Sequence, residues 1–392
     1  MDQRPEHLVP APKARKALAL MAVILISLPA AALVSGARGK PIENRASNTF
    51  KGIDGWSSFA DFGAYVADRI PLRSRAVRTD AWIDDHVFSE DPAFGGSSTP
   101  RVIRGKDGFL FLADAIDTAC APNAPPDLAA QNFSRLSTII ANSGRNVLSM
   151  VAPDKSTVHP ELLPADLAKS DCFSQFTNTL WDDLESAQIP GFVNLRAALT
   201  QQTKLTREPL YLRKDSHWDS AGSLVGVHLA IDHFAPGLWR DSEVKYRGVG
   251  DYTGDLTGMQ GNPQTDQAPQ YSVERPDVIP GPTTVIDNIE GGNNRRFTNT
   301  APPGRLIPGK TLMFLDSYGL AALPQLVPFF EDLTIIRLVD FEPTKFATAI
   351  ANADRVWVLT VERSITYRLS VEIGNAAFLD QLQSTLQTGG AK

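Results

Sequence analysis

Cysteine is scarce in this chain of 392 residues: there are two, Cys120 and Cys172, with no CxxC spacing, and only six histidines are scattered along the sequence. That excludes a structural zinc site, which needs four soft or imidazole ligands at close spacing. No metal is expected. A basic stripe with interleaved aromatics is also missing, and the formal net charge of −6 with a pI near 5.6 argues against a nucleic-acid partner. No internal repeat is visible, so a solenoid or propeller is set aside. What remains is ordinary globular composition, 43% hydrophobic and 21% charged, in a chain long enough for one large domain or two smaller ones.

One long apolar run is present. Residues 17–37 are 21 positions without a charge, preceded by Lys13, Arg15 and Lys16. At 1.5 Å rise per residue such a run matches a hydrocarbon core of about 30 Å. The length favours an uncleaved signal anchor with residues 1–16 as a short cytoplasmic tail; Pro29 and the small residues up to Ala37 keep cleavage open as the alternative. Arg38, Lys40 and Arg45 flank the far side, so orientation is less sharply marked. A chain that leaves the cytoplasm can pair its two cysteines, and a Cys120–Cys172 disulfide is a candidate.

Downstream, residues 38–100 form a membrane-proximal segment, with helical periodicity from Ser57 to Phe88 that Pro71 should divide. Residues 101–112 read as a hairpin around Gly105-Lys106-Asp107-Gly108. Strands at 146–152, 192–195, 311–315, 333–338 and 355–360 alternate with helices near 128–142, 173–187, 196–202, 221–234, 320–330 and 378–386. That rhythm predicts an α/β domain over 101–392 with a parallel sheet flanked by helices. Residues 262–310, with eight prolines, interrupt it and read as a loop-rich insertion of short strands over the site.

Two segments carry candidate chemistry. Asp215-Ser216-His217-Trp218 sets a carboxylate and an imidazole on one short loop, where Asp215 can fix the tautomer of His217. Leu315-Asp316-Ser317-Tyr318-Gly319 sets a serine where a buried strand turns into a helix, with helix N-terminal amides beside it. A serine nucleophile needs a base, and the base an orienting group. The plainer uses are a surface loop with a stray histidine, and capping of the helix by Asp316-Ser317.

Four stretches in order, Gly105–Leu112, Val151–Pro164, Asp215–Trp218 and Leu315–Tyr318, resemble the alginate O-acetyltransferase AlgX/AlgJ family, whose domains are SGNH-hydrolase-like. Gly254-Asp255-Leu256 and Val361-Glu362-Arg363 resemble further landmarks of that family. The resemblance spans about residues 40–370. It implies Ser317 as nucleophile, His217 as general base and Asp215 as its orienting carboxylate, in a permuted order with the Asp/His pair 100 residues before the serine. Leu315 stands where a glycine is typical.

The implied activity is O-acetylation of a polysaccharide hydroxyl through an acetyl-serine, with no cofactor. The acetyl donor would be supplied by a membrane-bound O-acyltransferase, and the anchor would hold the catalytic domain in the periplasm or outside the membrane. A carbohydrate acetyl esterase with the same triad, and a non-catalytic glycan-binding scaffold of a polymer-export complex, are the competing readings. Trp218 and Tyr318 are candidates for stacking on a pyranose, Lys155 and Arg363 for meeting an anionic sugar.

Overall fold

The computed structural model describes residues 102–388 apart from 169–170, 261 and 288–292, together with isolated positions between 20 and 65. The chain divides into two units, residues 1–80 and 81–392. The expected anchor at 17–37 and the helices expected between Ser57 and Phe88 fall almost wholly outside the described residues. Within 17–37, Leu20, Val23, Ser27, Leu28, Ala31 and Ala32 are helical. Among the described residues no helix is long and apolar enough to cross a membrane.

The second unit opens on an antiparallel hairpin, β1 (Val102–Arg104) and β2 (Leu110–Leu112), paired from Val102↔Leu112 to Arg104↔Leu110. Asp107 and Gly108 both take positive φ in its turn, 56° and 75°. The main sheet draws on β3 (Asn146–Ala152), β4 (Phe192–Val193), β10 (Ile307–Leu315), β11 (Phe330–Arg337) and β12 (Arg355–Val361). These run parallel in the order β4-β3-β12-β10-β11.

The alternation of side chains explains why these strands read as unbroken apolar runs. Val147, Leu312, Phe314, Val356 and Val358 belong to one core cluster, with residues of the helices Pro126–Asn142, Asp171–Ser186, Pro343–Ala351 and Ala376–Thr388. Their strand neighbours Leu148, Met150, Met313, Leu315, Trp357 and Leu359 belong to a second, with residues of Leu195–Thr206, Ser220–Phe234 and Ser317–Leu326. Both faces of the sheet are covered, as parallel strands require.

The expectation of a wholly parallel sheet is corrected. Beyond β11 the sheet continues antiparallel through β9 (Asn294–Thr300), on which β7 (Ile279–Pro280) and β8 (Thr284–Asp287) pair, so it is mixed. The proline-rich stretch thus supplies strands to an open sheet edge, whose unpaired N–H and C=O groups template further pairing. Its first part, β6 (Thr265–Val273), instead forms a separate ribbon with β5 (Val244–Thr253).

Because β3, β10, β11 and β12 are parallel, their carboxyl ends share one edge. The residues just past those ends, Pro153-Asp154-Lys155, Asp316-Ser317 and Glu362-Arg363, therefore lie where ligands bind in open α/β sheets. Cys120, ending the helix Ala113–Cys120, is bonded to Cys172 in the first turn of Asp171–Ser186, with Cα atoms 5.0 Å apart.

Candidate active site

The loop carrying Asp215 and His217 is a narrow one. Tyr211 and Trp218 form an isolated antiparallel bridge, and Leu212 N–H donates to His217 O at 3.1 Å and Asp219 N–H to Leu210 O at 3.0 Å. Asp219 then caps the helix Ser220–Phe234 by accepting from the amides of Ala221 and Gly222 at 2.9 and 2.8 Å. Strand-like closure on one side and a capped helix on the other leave the intervening residues a fixed path.

Within that path the Asp215 carboxylate folds back on its own loop. Its Oδ1 lies 2.7 Å from His217 Nδ1 and accepts the His217 backbone N–H at 2.9 Å. Its Oδ2 accepts the Asp255 N–H at 3.0 Å. Burial pushes the Asp215 carboxyl up, but the His217 hydrogen bond and charge, with the two backbone donors, outweigh it and hold it below the ordinary aspartate value. It stays ionised and can only accept, so Nδ1 of His217 carries the proton of this hydrogen bond. Nε2 is buried and has no hydrogen-bond partner among the described residues.

Asp255 was singled out in the sequence without a role, and it is the residue the sequence reading missed. Its carboxylate accepts Ser216 N–H at 2.8 Å and Ser216 Oγ–H at 2.6 Å, while its own N–H reaches Asp215. Burial and the Asp215 charge push its carboxyl up. The approach depends on Gly254, where a Cβ would fall 1.9 Å from Lys214 O. One donor atom each of Asp215, His217 and Asp255 lies within 4.8 Å of the others. Those groups already bond one another and Ser216, as in a relay that orients an imidazole.

Ser317 reaches the same edge from the end of β10. Asp316 takes the cap, its Oδ1 accepting Tyr318 N–H at 2.9 Å and its Oδ2 accepting Val361 N–H at 2.5 Å. Ser317 is thereby the first residue of the helix Ser317–Leu326, half-buried, with its hydroxyl not needed for capping. The first intrahelical bond runs from Leu320 N–H to Asp316 O, so the amides of Ser317 and Gly319 precede the ladder. The sharp turn needs Gly319: a Cβ there would stand 2.7 Å from Leu315 Cβ and 3.2 Å from Met313 Cε. Leu315, where a glycine is typical, is instead a fully buried strand residue.

Tyr318 ties the two segments together. Its hydroxyl donates to Ser216 O at 2.6 Å, and its ring lies 5.0 Å from the His217 ring and 5.1 Å from that of Trp218. The residues on either side of this contact are Ser317 and His217.

Of the four residues expected to meet a sugar, Tyr318, Trp218 and Lys155 are buried and Arg363 is half-buried. Tyr318 is fully buried and Trp218 is 3% exposed, so neither offers a face to a pyranose. Lys155 is 3% exposed, with Nζ donating to the carbonyls of Leu212, Arg213 and Asp215 at 2.8, 3.4 and 2.6 Å. Arg363 turns inward: it pairs with Asp154, donates its N–H to Asp154 Oδ2 at 2.9 Å, and lies 5.5 Å over the Tyr318 ring. These side chains bury themselves because each has a polar partner or an aromatic surface within the fold.

Beneath Arg363, Glu362 accepts Asp154 N–H at 2.9 Å and Trp181 Nε1–H at 3.1 Å. Burial, then the Asp154 charge, push its carboxyl up to about 7 from an ordinary 4.5. Between those values the folded state binds the proton more readily than the unfolded chain. This group's stabilising contribution is therefore full below pH 4.5 and lost as pH rises through about 7. Glu362→Gln is expected to gain melting temperature relative to the parent as pH is raised across that window. A difference that stays constant from pH 4.5 to 8 would show that another group titrates there.

The family described as SGNH hydrolase-like domain, acetyltransferase AlgX, matches residues 102–303, just over half of the chain. The matched stretch contains Lys155, Asp215, His217 and Asp255 and stops before Ser317. Among solved structures, the O-acetyltransferase domain of Pseudomonas putida AlgJ is similar at 18% identity and a TM-score of 0.43, covering 73% of this chain and 99% of that one. Bacillus cereus PatB1 is similar at 12% identity and a TM-score of 0.45, covering 69% and 97%. Pseudomonas aeruginosa AlgX is similar at 13% identity and a TM-score of 0.44, covering 73% and 65%. None of the curated proteins matches. The match over 102–303 shows that the chain belongs to the AlgX family of SGNH hydrolase-like acetyltransferase domains.

Proposed function

We propose that the protein is an O-acetyltransferase that moves an acetyl group through acetyl-Ser317 onto a polysaccharide hydroxyl. The observation that carries this reading is the state of His217, with Nδ1 held at 2.7 Å by an ionised Asp215 and Nε2 buried and without a partner among the described residues. An imidazole so oriented is a general base awaiting an O–H. His217 Nε2 takes the Ser317 Oγ proton as Oγ attacks the acetyl carbonyl carbon of an ester donor. The negative charge that develops on the carbonyl oxygen falls to the Ser317 and Gly319 amides at the helix N-terminus. Collapse expels the donor alcohol, which leaves with the proton from His217. A sugar hydroxyl then gives its proton to His217, attacks the acetyl-serine, and Ser317 leaves with that proton returned.

The donor is an acetyl ester, supplied in this reading by a membrane-bound O-acyltransferase. The apolar run at 17–37 would anchor the domain outside the cytoplasm, a placement that the Cys120–Cys172 disulfide supports. The test is product analysis with p-nitrophenyl acetate, with and without a panel of acceptor oligosaccharides. Acetylated sugar is the expected product. Acetate alone, whatever acceptor is present, would make the protein an esterase with the same triad. Absence of any acetyl-protein by intact mass would leave the glycan-binding scaffold.

A further inference from the structure

A buried lysine is an expensive way to fill space, and Lys155 is placed where its cost has a counterpart. The tip of the loop between the Tyr211–Trp218 bridge points three carbonyls, of Leu212, Arg213 and Asp215, into the protein. Buried carbonyls require donors. An ammonium offers three donors from one atom, and Nζ faces all three oxygens. The rings of Phe109 and Phe111, from the β1–β2 hairpin, lie 5.7 and 5.3 Å from Nζ and close the other side. The hairpin is itself tied to the loop, Leu110 N–H donating to Arg213 O at 2.9 Å. The charged groups that act on the ammonium are the carboxylates of Asp215 and Asp255.

We propose that Lys155 is a positioning residue of the acyl-transfer site: its ammonium fixes the backbone of residues 212–215 and so holds the Asp215 carboxylate against His217. The inference rests on the catalytic reading of Asp215 and His217 given above. The loop's own hydrogen bonds close its base, at Leu210–Asp219 and Leu212–His217, and inside it His217 N–H reaches Asp215 Oδ1. The residue between, Asp215, is held by Asp255 N–H on the side-chain side and by Lys155 on the backbone side. Without Lys155 the three carbonyls lose their common anchor, Arg213 O keeping only Leu110 N–H, and the backbone that carries the carboxylate can shift relative to Nδ1. Burial pulls the Lys155 ammonium down to about 7 against the raising effect of Asp215 and then Asp255, which marks how strongly the site is desolvated.

Lys155→Met tests this with two readouts that a general packing role would not move together. The first is the low-field Nδ1–H proton resonance of an imidazole bonded to a carboxylate, recorded in the resting protein without substrate. It is expected in the parent and lost in Lys155→Met, while the far-UV spectrum and a cooperative melt are retained. The second is turnover of p-nitrophenyl acetate: kcat falls roughly 100-fold, the scale of an ångström misplacement of a catalytic group, with KM changed less than about threefold. Lys155→Arg, which keeps the charge and donors, should recover the resonance and most of kcat.

A folded Lys155→Met protein that keeps the resonance and the parental kcat overturns the proposal. Should Lys155→Met not fold, Lys155→Gln decides: loss of the resonance supports positioning by the ammonium, and parental resonance refutes it. If the parent itself turns over no acetyl ester, the functional reading fails, yet the resonance still reports whether Lys155 holds the pair.

Discussion

Ser317→Ala is expected to lower acetyl-ester turnover by roughly 10⁶-fold and to leave the melting temperature within a few degrees of the parent. The activity side follows from the chemistry: without Oγ there is no acyl-enzyme, and only oxyanion stabilisation and binding remain. The stability side follows from the structure. Asp316, not Ser317, caps the helix, and Ser317 is only half-buried at its first turn, where alanine is a good helix former. His217→Ala should cost about as much, and the double variant little more than either alone, because residues of one relay act as a unit. Intact-mass detection of an acetyl adduct in the parent and its absence in Ser317→Ala completes the measurement. Equal turnover by parent and variant would sink the serine mechanism.

Removing the Cys120–Cys172 bond is expected to carry the largest effect on stability. The bond spans a sequence separation of 52 residues, for which loop-closure entropy in the unfolded chain predicts a loss of about 4 kcal/mol. For a unit of this size that corresponds to a fall in melting temperature of roughly 10 °C. The closed loop contains the helix Pro126–Asn142, β3 and Lys155, so the cross-link also pins the element that delivers Lys155 to the site. The Cys120→Ser/Cys172→Ser double variant and the parent in reductant should melt together, below the oxidised parent. Coincident melts of oxidised parent and double variant would mean that the bond contributes nothing.

Much of the fold was legible because its signals are local. The strand at 146–152 matches the sequence expectation at both ends, and Arg355–Val361 differs by one residue. Both are short apolar runs between polar breaks, a pattern that buried parallel strands produce by themselves. The helix Ser220–Phe234 begins one residue before the expected 221 and ends at the expected 234. Residues 320–330 were less well read, because Asp316-Ser317-Tyr318-Gly319 looks like a turn before a helix. The turn is so tight that the helix starts at Ser317 itself. The helix Pro343–Ala351 was not anticipated, though Glu342 caps it and Pro343 starts it, both recognisable signals. The 262–310 stretch does hold short strands, but proline and glycine richness reports turns and not which edge the strands between them join.

The sequence by itself determined the pairing of Asp215 and His217, since a two-residue spacing brings carboxylate and imidazole together within one loop. It also placed Ser317 at a strand-to-helix turn. The tertiary structure alone decided which polar side chains turn into the fold and which stay accessible. Lys155, Arg363, Trp218 and Tyr318 carry groups that suit a sugar, yet Lys155, Trp218 and Tyr318 are buried and the half-buried Arg363 pairs with Asp154. Asp255 was recorded only as a landmark, yet it braces Asp215 and Ser216 across 40 and 39 positions of sequence. Burial and long-range partners arise from how distant segments pack, and residue type does not encode the direction in which a side chain will point.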